Sequence, residues 1–206
     1  MNDENKLRIL SQVITTTELL LNQSTILCEV LNYSTEAESI STRISTINEE
    51  IDQRILDMSV VGYNNTIAND EKASILFDIC NQILHLSRNV GIVAKSFVRF
   101  NITDIKEEVA FPLVDFEKSF SLLMEIFVSI RNDENVNLCL DKVFELRQIY
   151  IRNSNGYDAV MKKLFNSDES VIDIVRWKDI YASVNRVYVG ISDMIVFIMK
   201  YLMFGE

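Results

Sequence analysis

Apolar residues recur at alternating steps of three and four along most of the chain, the spacing that lines one face of an α-helix. The clearest run is Leu76, Ile79, Ile83, Leu86, Val90, Val93 and Phe97, which predicts a helix over 70–100. Leu7, Leu10, Ile14, Leu21, Cys28 and Leu31 predict one over 4–32. Ile40, Ile44, Ile47, Ile51, Ile55 and Met58 predict another over 36–61. In the second half, a helix over 104–131 is followed by one over 133–165, with Val136, Leu140, Val143, Tyr150, Tyr157, Met161 and Leu164 facing inward. The last, over 169–203, carries Trp177, Ile180, Val184, Val187, Ile191, Met194, Ile198 and Leu202.

The polar joints between these runs supply start and stop signals. Thr35 with Glu38 has the spacing of a capping box. Gly62 suits the end of the second helix, and Thr103 suits the start of the fourth. Asn132 and Asp133 open the fifth, and Ser167 and Asp168 the sixth. Pro112 falls inside the fourth helix, where a missing N–H and a steric clash predict a kink. The joints are short, which implies antiparallel neighbours. The expected fold is therefore all-α: six long antiparallel helices in one elongated domain over 1–206, with pseudo-halves 1–101 and 102–206. Only 5 Gly and 1 Pro in 206 residues argue against the frequent turns of an all-β or Gly-loop fold.

Charge and candidate chemistry narrow the function. The formal net charge of -10 is spread along the chain, which excludes a phosphate-gripping nucleic-acid surface. An acidic surface keeps a bundle soluble; beyond that it suits a cation or the basic cytoplasmic face of a membrane protein. Cys28, Cys80 and Cys139 are far apart, with no CxxC pair, which points to a reducing cytoplasm. The acidic start, Met1 to Lys6, is unlike a secretory leader. The apolar run Met194–Phe204, interrupted by Lys200, is too short to span a bilayer, so a buried last helix is expected. His85 stands alone, and a lone His on a helix is usually structural. No P-loop, Rossmann or nucleophile-elbow pattern occurs, so no enzymatic activity is expected. Helical carboxylates at i and i+4 share a face and can hold metal ions. Here Glu49, Glu50, Asp52, Asp78 and Asp193 read first as solvated charges.

The segment S-V-I-D-I-V-R-W-K-D-I-Y-A-S-V-N-R-V from Ser170 resembles the last helix of the PhoU-like phosphate-transport accessory family, in the branch associated with Pit-type permeases. Trp177, Lys178, Asp179, Ile180 and Tyr181 carry the match, and Asp158–Phe165 fits the end of that family's fifth helix. The resemblance implies two three-helix halves and a regulatory role in phosphate uptake, exercised in the cytoplasm at the inner face of the membrane. It also implies carboxylate pairs that bind metal clusters, and here this chain departs from the pattern. The expected pairs fall on Asn48 and Asp52, on Phe77, Asp78 and Asn81, on Tyr150 and Ser154, and on Asn185 and Val189. Amides and aliphatics cannot neutralise a multinuclear cluster. The metal motif is therefore read as degenerate, leaving at most one weakly held divalent or iron cation at Asn48, Asp52 and Asp78, and no other cofactor.

The leading expectation is a non-catalytic regulatory module that docks on a phosphate permease or a signalling partner. The alternatives are a metal-binding PhoU-like protein and a structural helical oligomer without a transport role. For the last, Phe100, Phe111 and Phe204 are candidate outer apolar residues for a homodimer.

Overall fold

The computed structural model describes residues 3–63 and 71–204. Six long helices follow in chain order: α1 (Asp3–Cys28), α2 (Ala37–Tyr63), α3 (Glu71–Arg99), α4 (Glu107–Arg131), α5 (Val136–Phe165) and α6 (Val171–Met203). Two 3-10 turns, Glu29–Leu31 and Ser34–Glu36, join α1 to α2, and no strand occurs among the described residues. The all-α, six-helix reading of the sequence holds, with ends displaced by a few residues.

Four helices build the interior. α1 packs on α3 and α4, while α6 packs on α3, α4 and α5. α2 lies along α1 and α3, and α5 lies along α4 and α6. All seven residues of the stripe predicted for α3, from Leu76 to Phe97, are buried. Each such side chain contributes about 1.5–3 kcal/mol when removed from water. The α6 stripe is buried from Trp177 to Ile198. By length and composition α6 could cross a membrane, yet half of its apolar window (50%) is buried inside the bundle. In this fold it serves as a core wall.

Elsewhere the inner faces differ from expectation. Leu7 on α1 is exposed, and the buried face runs through Leu10, Val13, Leu20, Leu27 and the polar Thr16, Thr17, Gln23 and Ser24. These hydroxyls are buried without cost because they donate to carbonyls of their own helix. Thr17 Oγ1 reaches Val13 O at 2.7 Å, and Ser24 Oγ reaches Leu21 O at 2.7 Å. On α5, Val136 is exposed, and Cys139, Val143, Leu146 and Ile149 form the buried face. Phe100 packs against the core, whereas Phe111 and Phe204 are exposed.

The helix starts also move. Thr35 sits inside a 3-10 turn capped by Tyr33, so it does not take the extended conformation of a capping residue. Lys106, not Thr103, precedes α4 in extended backbone. Thr103 instead accepts, through its carbonyl, a hydrogen bond from Ser34 Oγ at 2.7 Å. Asn132 closes α4 and Asp133 adopts φ 49, a left-handed turn conformation that ends one helix before the next begins. Asn135 caps α5 by accepting from Asn137 N at 2.9 Å. Ser170 caps α6 by accepting from Asp173 N at 3.2 Å, while Ser167 closes α5 by donating to Leu164 O at 2.8 Å. Gly62 lies within α2, which reaches Tyr63. α4 runs continuously through Pro112.

Two helical glycines mark opposite environments. A Cβ on Gly91 of α3 would meet Asn48 Nδ2 at 2.5 Å. That amide is pinned by hydrogen bonds from Gln23 and Ser87, so it cannot simply swing away. A Cβ on Gly156 of α5 would meet nothing within 4 Å. Gly91→Ala is expected to destabilise by about 1–3 kcal/mol through overpacking, despite alanine's better helix propensity. Gly156→Ala is expected to stabilise by about 0.5–1 kcal/mol. Urea midpoints at unchanged slope read both signs, and equal responses at the two sites would contradict the close approach at Gly91.

Candidate functional site

The predicted cation position was built on Asn48, Asp52 and Asp78. Asn48 Oδ1 already accepts from Gln23 Nε2 at 2.9 Å and from Ser87 Oγ. Gln23 Nε2 also donates to Ile44 O at 3.1 Å, which ties α1 to α2. Asp52 Oδ1, one turn further along α2, accepts from Arg88 Nη2 of α3 at 3.1 Å. Asp78 is exposed on α3 and shares no described contact with either. Two of the three residues named for a single weak cation are thus engaged within the protein, the Asn48 amide by Gln23 and Ser87 and the Asp52 carboxylate by a guanidinium. Among the described residues no three His, Cys, Asp or Glu side chains gather as ligands. A shallow groove beside this position is lined by Ser45, Asn48, Glu49, Arg88, Ile92 and Lys95.

The Trp177–Tyr181 run divides by face. Trp177, Ile180 and Tyr181 are buried, and the Trp177 and Tyr181 rings lie 5.8 Å apart. Lys106 Nζ sits 4.7 Å over the Trp177 ring and also pairs with Glu169. This cation–π contact fastens the approach to α4 against the start of α6. Lys178 and Asp179 are exposed.

The one large concavity among those described lies elsewhere, between the first half of α4, the second half of α5 and the middle of α6. Its volume is about 540 Å³, within the range of small-molecule sites. Phe111, Pro112, Val114, Tyr157, Val160, Tyr181, Val184 and Tyr188 give it apolar walls. Tyr188 OH donates to Pro112 O at 2.7 Å and its ring lies 5.0 Å from Phe116, which fixes the floor. Burial pushes both Tyr181 and Tyr188 well above the ordinary phenol range, so both stay neutral.

Two ion pairs bridge α4 and α5 at the ends of this cleft. Glu108 meets Lys163 at 2.5 Å, and Asp115 meets Arg152 at 2.6 Å. Asn153 Nδ2 also donates to Asp115 Oδ2 at 2.8 Å. Between the bridges the α5 wall is thinnest at Gly156. Pro112 opposite has no N–H to give the carbonyl of Glu108, four residues back. These two residues, each disfavoured inside a helix, are the signal in the sequence that could have marked the cleft.

His85 and Asp193 are exposed on α3 and α6. Of the remaining positions where the resemblance placed ligands, Asn185 lines the cleft and Val189 is exposed. Tyr150 packs at the core edge. Burial pushes the Cys80 thiol up to about 12 and, with help from Glu117, the Cys28 thiol up to about 11. Both stay protonated and are weak nucleophiles near neutral pH.

Comparison with known proteins returned the fold. The crystal structure of the phosphate transport system regulatory protein PhoU from Streptococcus pneumoniae superposes with a TM-score of 0.77. The superposition covers 100% of this chain and 98% of that one, at 14% identity. No family model and no curated protein sequence matches the chain.

The Glu108–Lys163 bridge makes a pH prediction. The Glu108 carboxyl is held below its ordinary 4.5, first by the hydrogen bond from Lys163 and next by its own backbone N–H. A depressed carboxyl stabilises the fold above its unfolded pKa, and the contribution is lost as pH falls through the folded one. Glu108→Gln is expected to be less stable than the parent at pH 7, with the gap closing as pH falls below about 4.5. Urea unfolding across that range tests this, and a gap that stays constant would assign the loss to packing alone.

Proposed function

We propose that this protein is a regulatory helical module that docks on a phosphate permease, or on the signalling partner of one, and alters its activity without bond chemistry. The observation that carries this reading is the full-length likeness in fold to a phosphate transport regulator. The W-K-D-I-Y run adds to it, since its Lys178 and Asp179 are exposed on a helix held rigid by Trp177 and Tyr181. The charge balance agrees. Cytoplasmic loops of membrane proteins carry excess Lys and Arg, and a surface with net charge -10 complements them. The place of action in this reading is the cytoplasm, at the inner face of the membrane. This reading invokes no metal: Asn48 is engaged by Gln23 and Ser87, and Asp52 by Arg88.

Deleting the gene is expected to change the rate of labelled phosphate uptake, and restoring it is expected to reverse the change. The tagged chain is expected to co-purify with the host's phosphate permease from detergent extracts, in a manner that differs between phosphate-limited and phosphate-replete cells. Unaltered uptake, together with no transport or signalling component recovered under either condition, would remove the support for this function.

A further inference from the structure

The cleft between α4, α5 and α6 is not used by the docking reading, and its chemistry is specific. We infer that it is a binding site for a small amphipathic organic cation, a short hydrocarbon or aromatic body bearing one cationic nitrogen.

Size comes first. The two ion pairs that close the cleft stand seven residues apart on α4, Glu108 and Asp115, which is about 10 Å of helix rise. A partner helix laid along the groove would have to cross both bridges. A compact molecule fits between them, within the cleft's volume of about 540 Å³.

The walls decide the body. Phe111, Val114, Val160 and Val184, with the Tyr157, Tyr181 and Tyr188 rings, offer hydrocarbon and aromatic surface. Phe111 and Val114 are 71% and 52% exposed, so apolar area is left in water that an occupant would cover.

Charge decides the head group. Glu107, Glu108 and Asp115 line the cleft against a single cation, Arg152. Arg152 is engaged by Asp115 and Lys163 by Glu108; Lys163 also lies in the field of Glu107, which makes no direct ion pair, so the cleft keeps one net negative charge. The Asn185 amide also lines the cleft with no described hydrogen bond. An anion would meet this acid excess unfavourably. A cation meets aromatic rings and the exposed Glu107 carboxylate, the combination by which proteins hold alkylammonium groups.

Gly156 makes the site testable. It lines the cleft, and a Cβ added there would meet no protein atom within 4 Å, so the first atom of a new side chain has open space.

The experiment uses the purified full chain and three probes with one tail: octyltrimethylammonium, octanol and octanoate. Calorimetric titration is expected to show saturable one-to-one binding of the cation, at least about five-fold tighter than octanol or octanoate. Gly156→Phe is expected to weaken it by at least about tenfold, while Gly156→Ala leaves it unchanged. Glu107→Gln is expected to shrink the preference for the cation over octanol. On the unmodified chain, nuclear Overhauser contacts are expected from the trimethylammonium protons to the Tyr157 ring and Gly156 Hα, a readout that needs no variant to fold. Equal affinity for the three heads, tighter binding of octanoate, absence of saturable binding, or contacts placed elsewhere would each overturn the inference. None of these measurements involves a permease, so their failure leaves the transport reading standing, and the reverse also holds.

Discussion

The close approach of α3 to its neighbours is the constraint on which the rest of the molecule depends. α3 touches α1, α2 and α6, so three interfaces share one helix. Such crowding is feasible only where small residues allow it. Gly91 admits the Asn48 amide of α2, and Gly190 of α6 lets Leu86 and Gln82 of α3 come near. Gln82 Nε2 then donates to Gly190 O at 2.8 Å, so the price of proximity is offset by a part-buried hydrogen bond. Close-packed interiors transmit any change in volume to every side. A helix held on three sides is a poor place for a moving part, which pushes recognition to the outer edges.

That geometry explains what could be read from the sequence. The α3 and α6 stripes were legible because both helices are enclosed, and every third or fourth residue must be apolar. α5 is an edge helix, and its first turns also carry exposed Val136, Leu138 and Phe144. Two apolar sets compete there, and periodicity alone cannot choose Cys139, Val143, Leu146 and Ile149 over them. α1 hid its inner face differently. Thr16, Thr17 and Ser24 satisfy themselves on their own backbone, so polar letters stand at buried positions. Helix starts were misplaced because each joint holds several capping residues in a row. Turn geometry picks among them, as the left-handed Asp133 pushes the start of α5 to Asn135 and Val136.

The polar contacts of Asn48 and Asp52 have a physical logic of their own. A multinuclear cation site places many negative charges together and depends on the ions to hold them. At Asn48 an amide keeps the acceptor oxygen but carries no charge, and Gln23 and Ser87 use that oxygen directly. At Asp52 the charge remains, and Arg88 supplies the opposite sign. A guanidinium from α3 and two hydrogen-bond donors, from α1 and α3, thus engage this face of α2. Asn48 and Asp52 are engaged within the protein, while the larger described concavity lies elsewhere, between α4, α5 and α6.

The α4–α5 contact is the opposite case. It is fastened at Glu108–Lys163 and at Asp115–Arg152, yet open between them. Simple propensity would select alanine over Gly156 and a non-proline residue over Pro112, and both changes would strengthen their helices. Bulk at Gly156 would also close the gap from the α5 side. The chain instead keeps its two weakest helix formers in the open segment, over a floor fixed by Tyr188 bound to the Pro112 carbonyl. A cavity that merely resulted from poor packing would be free to collapse, because partial relaxation is the usual response to missing volume. Ion pairs span the gap at both ends, and the floor is held by the Tyr188 hydrogen bond to the Pro112 carbonyl. The opening is therefore a property of the architecture, and it sits on the outer half of the molecule that the crowded α3 leaves available for recognition.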